Sequence, residues 1–186
     1  MSHLFDPSEL HDLTRRHLVH GDRDAIFAAI VDELAERHPG HIRRDIPWIF
    51  KNAGGAMGQM KLLYCSLTEY ILLVGTPIGT EGHSGRYLAE VHDFMIDGEM
   101  WCYHAGDTDR AVYRPGDAAY LGGGRAKGYR VPDRAWMLEY ARGPIPTMVP
   151  FGLADTFFST LDRKTIGATV WSYGKMVVGN LLRGKI

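Results

Sequence analysis

The spacing of apolar side chains changes twice along the chain, and each change marks a border. Over residues 1–45 the period is helical. Asp6-Pro7-Ser8-Glu9 supplies an N-cap carboxylate, a proline at the first helical position and a Glu to close a capping box. Leu10, Leu13 and His17 follow at helical spacing. A second helix is expected near Asp22, with Ile26, Ala29, Ile30 and Leu34 on one stripe and Pro39-Gly40 at its end.

Over residues 46–143 short apolar runs are separated by Gly54-Gly55, Gly75, Gly82, Asp97-Gly98, Pro115-Gly116-Asp117 and Gly122-Gly123-Gly124. Runs at intervals of roughly 8–12 residues predict an antiparallel sandwich or barrel. The expected strands are Leu62–Cys65, Thr68–Val74, Arg86–Asp93, Met100–His104, Ala111–Tyr113, Ala118–Leu121 and Ala135–Ala141. Asp97-Gly98 predicts a type I′ hairpin. Pro-Gly-Asp between two strands is a weak marker of a cupin-type jelly roll.

Over residues 144–186 the helical period returns, with helices expected at about Thr147–Thr160 and Arg163–Arg183. The last helix carries two apolar stripes. Ile166, Val170, Tyr173, Val177 and Leu181 form one, and Trp171, Val178 and Leu182 form the other. A helix with two such stripes faces something besides its own core. Residues 163–186 hold five basic residues and no acidic one. Apolar bulk with cationic flanks predicts a helix lying in a membrane interface. The alternatives are an oligomer contact or a helix enclosed by the fold. No run approaches the 18 or so apolar residues of a spanning helix.

The whole is expected to be one α+β domain of 186 residues. Apolar residues at 45% and charged residues at 23% exclude a disordered chain. A net charge of -1 argues against a dedicated nucleic-acid binder. Cys65 and Cys102 cannot build a disulfide framework, which suits a reducing compartment.

Chemistry is narrowed mainly by elimination. None of the nine histidines stands in a metal-ligand motif, His92 and His104 included, so no metal is expected. A P-loop, a dinucleotide-binding glycine pattern and Gly-x-Ser-x-Gly are missing. Two carboxylates remain. Alternation puts Glu139 on one face with Met137 and Ala141, and Asp93 on one face with Tyr87, Ala89 and Val91. On an apolar face a carboxylate costs several kcal/mol unless protonated or paired. Facing each other inside a barrel, the two are expected to share a proton. A different register would turn both to water.

Several longer motifs carry a resemblance. Asn52-Ala53-Gly54-Gly55, Ser66-Leu67-Thr68-Glu69-Tyr70, Gly82-His83-Ser84-Gly85-Arg86-Tyr87, Trp136-Met137-Leu138-Glu139-Tyr140 and Ala154-Asp155-Thr156-Phe157-Phe158-Ser159-Thr160 stand in order. Together they closely resemble the family that joins fungal C-8 sterol isomerase to the sigma non-opioid receptor, from about Ile26 to Leu182. The resemblance implies a cupin-like antiparallel β-barrel (jelly roll) flanked by N-terminal helices and two C-terminal amphipathic helices. It also implies a homotrimer and a ligand cavity inside the barrel.

The family's acidic pair maps onto Glu139, which would meet the ligand's cation, and Asp93, which would bond to Glu139. The cavity wall maps onto Met60, Leu62, Tyr70, Leu72, Val91, Val149, Gly152 and Tyr173. Val74 stands where an aromatic is usual, and so does Ala56 after the glycine pair. Trimer contacts map onto Gly54, Gly55 and Gly58. In the family the C-terminal helices lie flat on the membrane.

Eukaryotic members begin with a transmembrane anchor, whereas a capped helix starts this sequence. That points to a bacterial member, cytoplasmic or held peripherally on the cytoplasmic face of a membrane. The implied activity is a cofactor-independent Δ8-to-Δ7 double-bond isomerisation of a sterol or sterol-like polycyclic lipid, with Glu139 and Asp93 as acid and base. The other implied role is non-enzymatic binding of lipids or cationic amphiphilic amines.

Overall fold

A computed structural model describes residues 3–185. At its start, the Asp6 carboxylate accepts from the amides of Ser8 and Glu9 and opens helix α1 (Pro7–His17). The Asp22 carboxylate accepts from the Ala25 amide and opens α2 (Arg23–Arg37). Both helices begin where the capping residues predict.

Ten strands follow: β1 (Ile49–Ala53), β2 (Ala56–Cys65), β3 (Glu69–Thr76), β4 (Thr80–His83), β5 (Glu90–Gly98), β6 (Met100–Tyr103), β7 (Ala111–Tyr113), β8 (Ala118–Leu121), β9 (Gly128–Val131) and β10 (Ala135–Arg142). They form two antiparallel sheets, one ordered β1-β2-β3-β10-β5-β8 and the other β4-β9-β6-β7. Hydrogen bonds do not close the described strands into a single barrel. The sheets instead share one core, in which Met60, Leu72, Met95 and Met137 of the larger meet Met100, Cys102 and Val131 of the smaller. This is the expected α+β jelly-roll arrangement, built as a double sheet.

The larger sheet is covered on its other face too. Leu63, Ile71, Leu73, Phe94, Ile96, Trp136, Leu138 and Tyr140 pack there with Leu10, Leu13, Ile30 and Leu34 of α1 and α2. Every residue of β3 is therefore buried, and seven of the eight in β10. A strand covered on both sides reads as an unbroken apolar run.

The expected strand positions hold in outline, with three differences. β1, β4 and β9 were not anticipated, because their polar residues break the alternation of short segments. The strand expected at Arg86–Asp93 begins only at Glu90 and continues to Gly98. Asp97-Gly98 also forms no hairpin: β5 belongs to one sheet and β6 to the other. Gly98 pairs with Ala135, and at φ 76° a Cβ on it would strike the Arg134 carbonyl oxygen. The glycine permits a close crossing between sheets.

After a 3-10 turn at Ile145–Met148 come α3 (Val149–Phe158) and α4 (Arg163–Leu181), the latter capped by Asp162. α4 packs over β2, where the Asn180 amide donates to the Cys65 carbonyl at 2.8 Å. No described helix is long and apolar enough to cross a membrane.

Candidate functional site

Register across the larger sheet brings the acidic residues together. Leu62 lies opposite Leu72, Leu72 opposite Glu139, Glu139 opposite Asp93, and Asp93 opposite Ala119. Residues directly opposite share a face, with Cβ atoms about 5 Å apart. One row below run Met60, Val74, Met137 and Met95; one row above run Cys65, Tyr70, Ala141, Val91 and Leu121. Two carboxylates thus stand side by side in an otherwise apolar floor, on the face that alternation gives them. A bulge at Trp136/Met137 lies just before Glu139 on β10.

Above this floor is a cavity of about 200 Å³. Both carboxylates line it, as do Met60, Tyr70, Leu72, Val74, Val91, Val149, Gly152 and Tyr173. Ala56 lines it as well. Leu62 is the exception: it belongs to the row but is fully buried in the core, where α4 packs over β2, and does not reach the cavity.

Sequence reasoning expected one proton shared by the two carboxylates. The structure gives each its own ammonium. Lys127 Nζ lies 2.8 Å from Asp93 Oδ2, with both side chains buried. Lys51 Nζ lies 3.3 Å from Glu139 Oε2, and the Tyr70 hydroxyl donates to Glu139 Oε1 at 2.6 Å. Burial works against the ammonium of each lysine, but Glu139 beside Lys51 and Asp93 beside Lys127 outweigh it, and both pKa values rise. Burial, followed by the adjacent Glu139 charge, pushes Tyr70 well above its ordinary value, so its phenol stays a donor.

These lysines were missed, for different reasons. Lys51 shares the inward face of β1 with Ile49 and Ala53, because Ile49 pairs with inward-facing Met60; recognising β1 as a strand would have found it. Lys127 precedes β9 in a segment without alternation, where nothing marks it. Ser84 holds it from both sides: the Lys127 amide donates to Ser84 Oγ at 2.9 Å, and the Ser84 amide donates to the Lys127 carbonyl at 2.9 Å. His92 and His104 do not converge. His92 packs against Tyr120, and His104 Nδ1 contacts the Ala126 carbonyl oxygen.

Comparison with known proteins bears on what such a site belongs to. Residues 1–185 match the family described as "ERG2 and Sigma1 receptor like protein". The chain belongs to the ERG2 and sigma-1 receptor like family. A C-8 sterol isomerase of Neurospora crassa is 44% identical over 187 residues, covering 98% of this chain and 73% of that protein. A sigma non-opioid intracellular receptor 1 of Gallus gallus is 45% identical over 173 residues, covering 92% and 78%. Among solved structures, an RmlC-like cupin from Shewanella frigidimarina aligns over 56% of this chain and 90% of its own, at TM-score 0.46 and 15% identity. The polyketide cyclase RemF from Streptomyces resistomycificus aligns over 54% and 75%, at TM-score 0.48 and 14% identity.

The ERG2 and sigma-1 receptor like family thus holds relatives named as enzymes and relatives named as receptors at nearly equal identity. Its glycine pair, Gly54-Gly55, is the two-residue turn between β1 and β2, with φ 63° and 86°. A Cβ on Gly54 would meet the His83 carbonyl and the Phe151 ring. Packing inside one chain already accounts for that glycine.

Proposed function

We propose that this protein is a double-bond isomerase acting on a sterol or sterol-like polycyclic lipid, moving a Δ8 alkene to Δ7 without a cofactor. The observation that carries this reading is the carboxylate row in an apolar floor, with an acid-base group at the centre of a cavity lined by Met, Leu, Val and Tyr. The reaction moves protons and changes no oxidation state, so a positioned acid and base suffice. Lys51 reaches Glu139 from an edge strand and lines the cavity, so an incoming substrate can displace it from the carboxylate. Glu139 then serves as the acid. That carboxyl adds its proton to one alkene carbon and leaves a tertiary cation at the other. The resulting carboxylate stabilises the cation and removes a proton from the next ring carbon. Asp93, its neighbour across the strands, is the other candidate for either role.

Incubation with a Δ8 sterol in deuterated water tests this. The expected result is deuterium in the ring, with the rate lowered about 10²–10⁴-fold in Glu139→Gln. Tight binding of amines with no exchange after long incubation would overturn it. That outcome would favour the second reading, a non-enzymatic binder of lipids or cationic amphiphilic amines, which the receptor-named relatives support.

We further propose peripheral membrane contact through α3 and α4. Phe157, Phe158, Val170, Trp171 and Val178 on these helices, Leu161 between them and Leu182 at the end of α4 are all exposed, as a surface buried in lipid requires. A homotrimer meeting at the Gly54, Gly55 and Gly58 region is supported by the exposed Phe50 and Met57 on the outer face of β1 and β2.

A further inference from the structure

Lys51 and Lys127 both supply a cation to the cavity, but they are held differently. The Lys127 side chain is 7% exposed, its ammonium sits 2.8 Å from Asp93, and its backbone is tied to Ser84. Lys51 rises from the edge strand, is nearly a third exposed, and reaches Glu139 at 3.3 and 3.5 Å. A lysine arm is flexible and its head group seeks water. Lys127 is therefore held at both its backbone and its head group, and Lys51 is the more loosely paired of the two.

We propose that Lys51 is a tethered cation that occupies the place a ligand's ammonium would take on Glu139, so that this pocket favours neutral apolar lipids over amines. The proposal rests on the reading of Glu139 as the group that meets a ligand's positive charge. With Lys51 in place, Asp93, Glu139, Lys51 and Lys127 sum to zero. An amine entering that balanced set brings an unpaired charge into an apolar space, which is costly. To pair, it must first displace Lys51. A neutral lipid brings no charge into that set and needs no partner on Glu139 to bind. Selectivity here comes from an element that opposes the unwanted ligand as well as from contacts with the wanted one.

The test compares wild type with Lys51→Met by calorimetry, using two probes of equal chain length, each below its aggregation or solubility limit: N,N-dimethyldodecylamine and dodecanol. The expected result is about tenfold tighter amine binding in Lys51→Met, since one competing charge is removed, with dodecanol changed by less than about threefold. Adding Glu139→Gln to Lys51→Met should cancel the gain. Unchanged or weaker amine binding overturns the proposal. So does an equal gain for both probes, which would make Lys51 mere bulk. Lys51→Gln serves as the second variant if Lys51→Met does not fold.

The isomerase reading fails separately. Wild type without deuterium exchange, alongside the amine gain in Lys51→Met, removes the enzyme and keeps the tethered cation. Exchange without the gain does the reverse.

Discussion

In α1 and α2 the residues turned inward are Leu10, Leu13, Thr14, Ile26, Phe27, Ile30, Val31 and Leu34, all apolar but Thr14, and the outward residues are mostly charged. In α4 the buried residues are Thr165, Ser172, Met176 and Asn180, while Trp171 is 71% and Leu182, at its C-cap, 85% exposed. The N-terminal pair follows the rule of a helix on a water-facing domain. The C-terminal pair inverts it, spending polar groups such as Asn180 on the chain's own backbone and leaving its bulkiest apolar groups outside. Tyr173 and Val177 still pack on the core, so α4 has an inner contact as well as an outer surface. Amphipathicity gives the angle between two faces; which one meets water depends on what surrounds the molecule.

The contrast can be broken most forcefully at the outer face of α4. Replacing both Trp171 and Leu182 by Ser should remove on the order of 4 kcal/mol of transfer free energy to lipid. Co-sedimentation with vesicles of phosphatidylcholine and phosphatidylglycerol would read this as loss of the bound fraction. The same double variant should keep its urea midpoint nearly unchanged, because these side chains touch little of the fold. Sedimentation equal to wild type would refute the membrane contact.

At the other end, Leu34→Ala should lower folding stability by about 3 kcal/mol, since Leu34 is buried between α2 and the sheet. Denaturant titration measures the loss, and vesicle binding by the folded fraction should not change. If Leu34→Ala costs no more than the α4 pair, the two ends do not differ as described.

A smaller effect sharpens the same comparison. Arg16 and His17 of α1 and Arg37 of α2 converge on Glu33 of α2, each at 2.6 Å. Burial pushes the Glu33 carboxyl up, but the hydrogen bonds from Arg16 and His17 prevail and hold it below its ordinary value of 4.5. A carboxyl depressed in the folded state adds stability above its unfolded pKa, and that contribution is lost as pH falls through the folded value. Stability measured from pH 6 down to pH 3 should therefore decline less in Glu33→Gln than in wild type. Parallel curves would show that this cluster does not couple the two helices.

Much of the fold was legible where one physical signal dominated. Asp6 and Asp22 mark their helices because a carboxylate at an N-cap has few other uses. The doubly covered strands β3 and β10 declare themselves as apolar runs, and within β10 the single acidic residue stands out for that reason. The short strands β1, β4 and β9 were not legible, since their polar residues satisfy no period. With β1 and β9 went the lysines on or beside them, so the expected shared proton gave way to two ion pairs. Asp97-Gly98 misled because the same dipeptide suits a tight hairpin and a crossing between layers. Only the position of Arg134 distinguishes the two, and that is information from distant sequence.

Strand β10 presents Glu139 to the cavity and Leu138 and Tyr140 to the helices behind it. The Tyr140 hydroxyl shares its one proton between Glu69 Oε2 at 3.0 Å and the Phe5 carbonyl oxygen at 3.1 Å, which fastens the strand from the rear. Sliding β10 by one residue would swing the acid into the greasy layer under α1 and α2 and push an inert side chain toward the ligand. Alignment on the hidden side thus sets which side chain faces the cavity, and under the proposed reaction damage far from the cavity would silence the protein while leaving every wall residue intact.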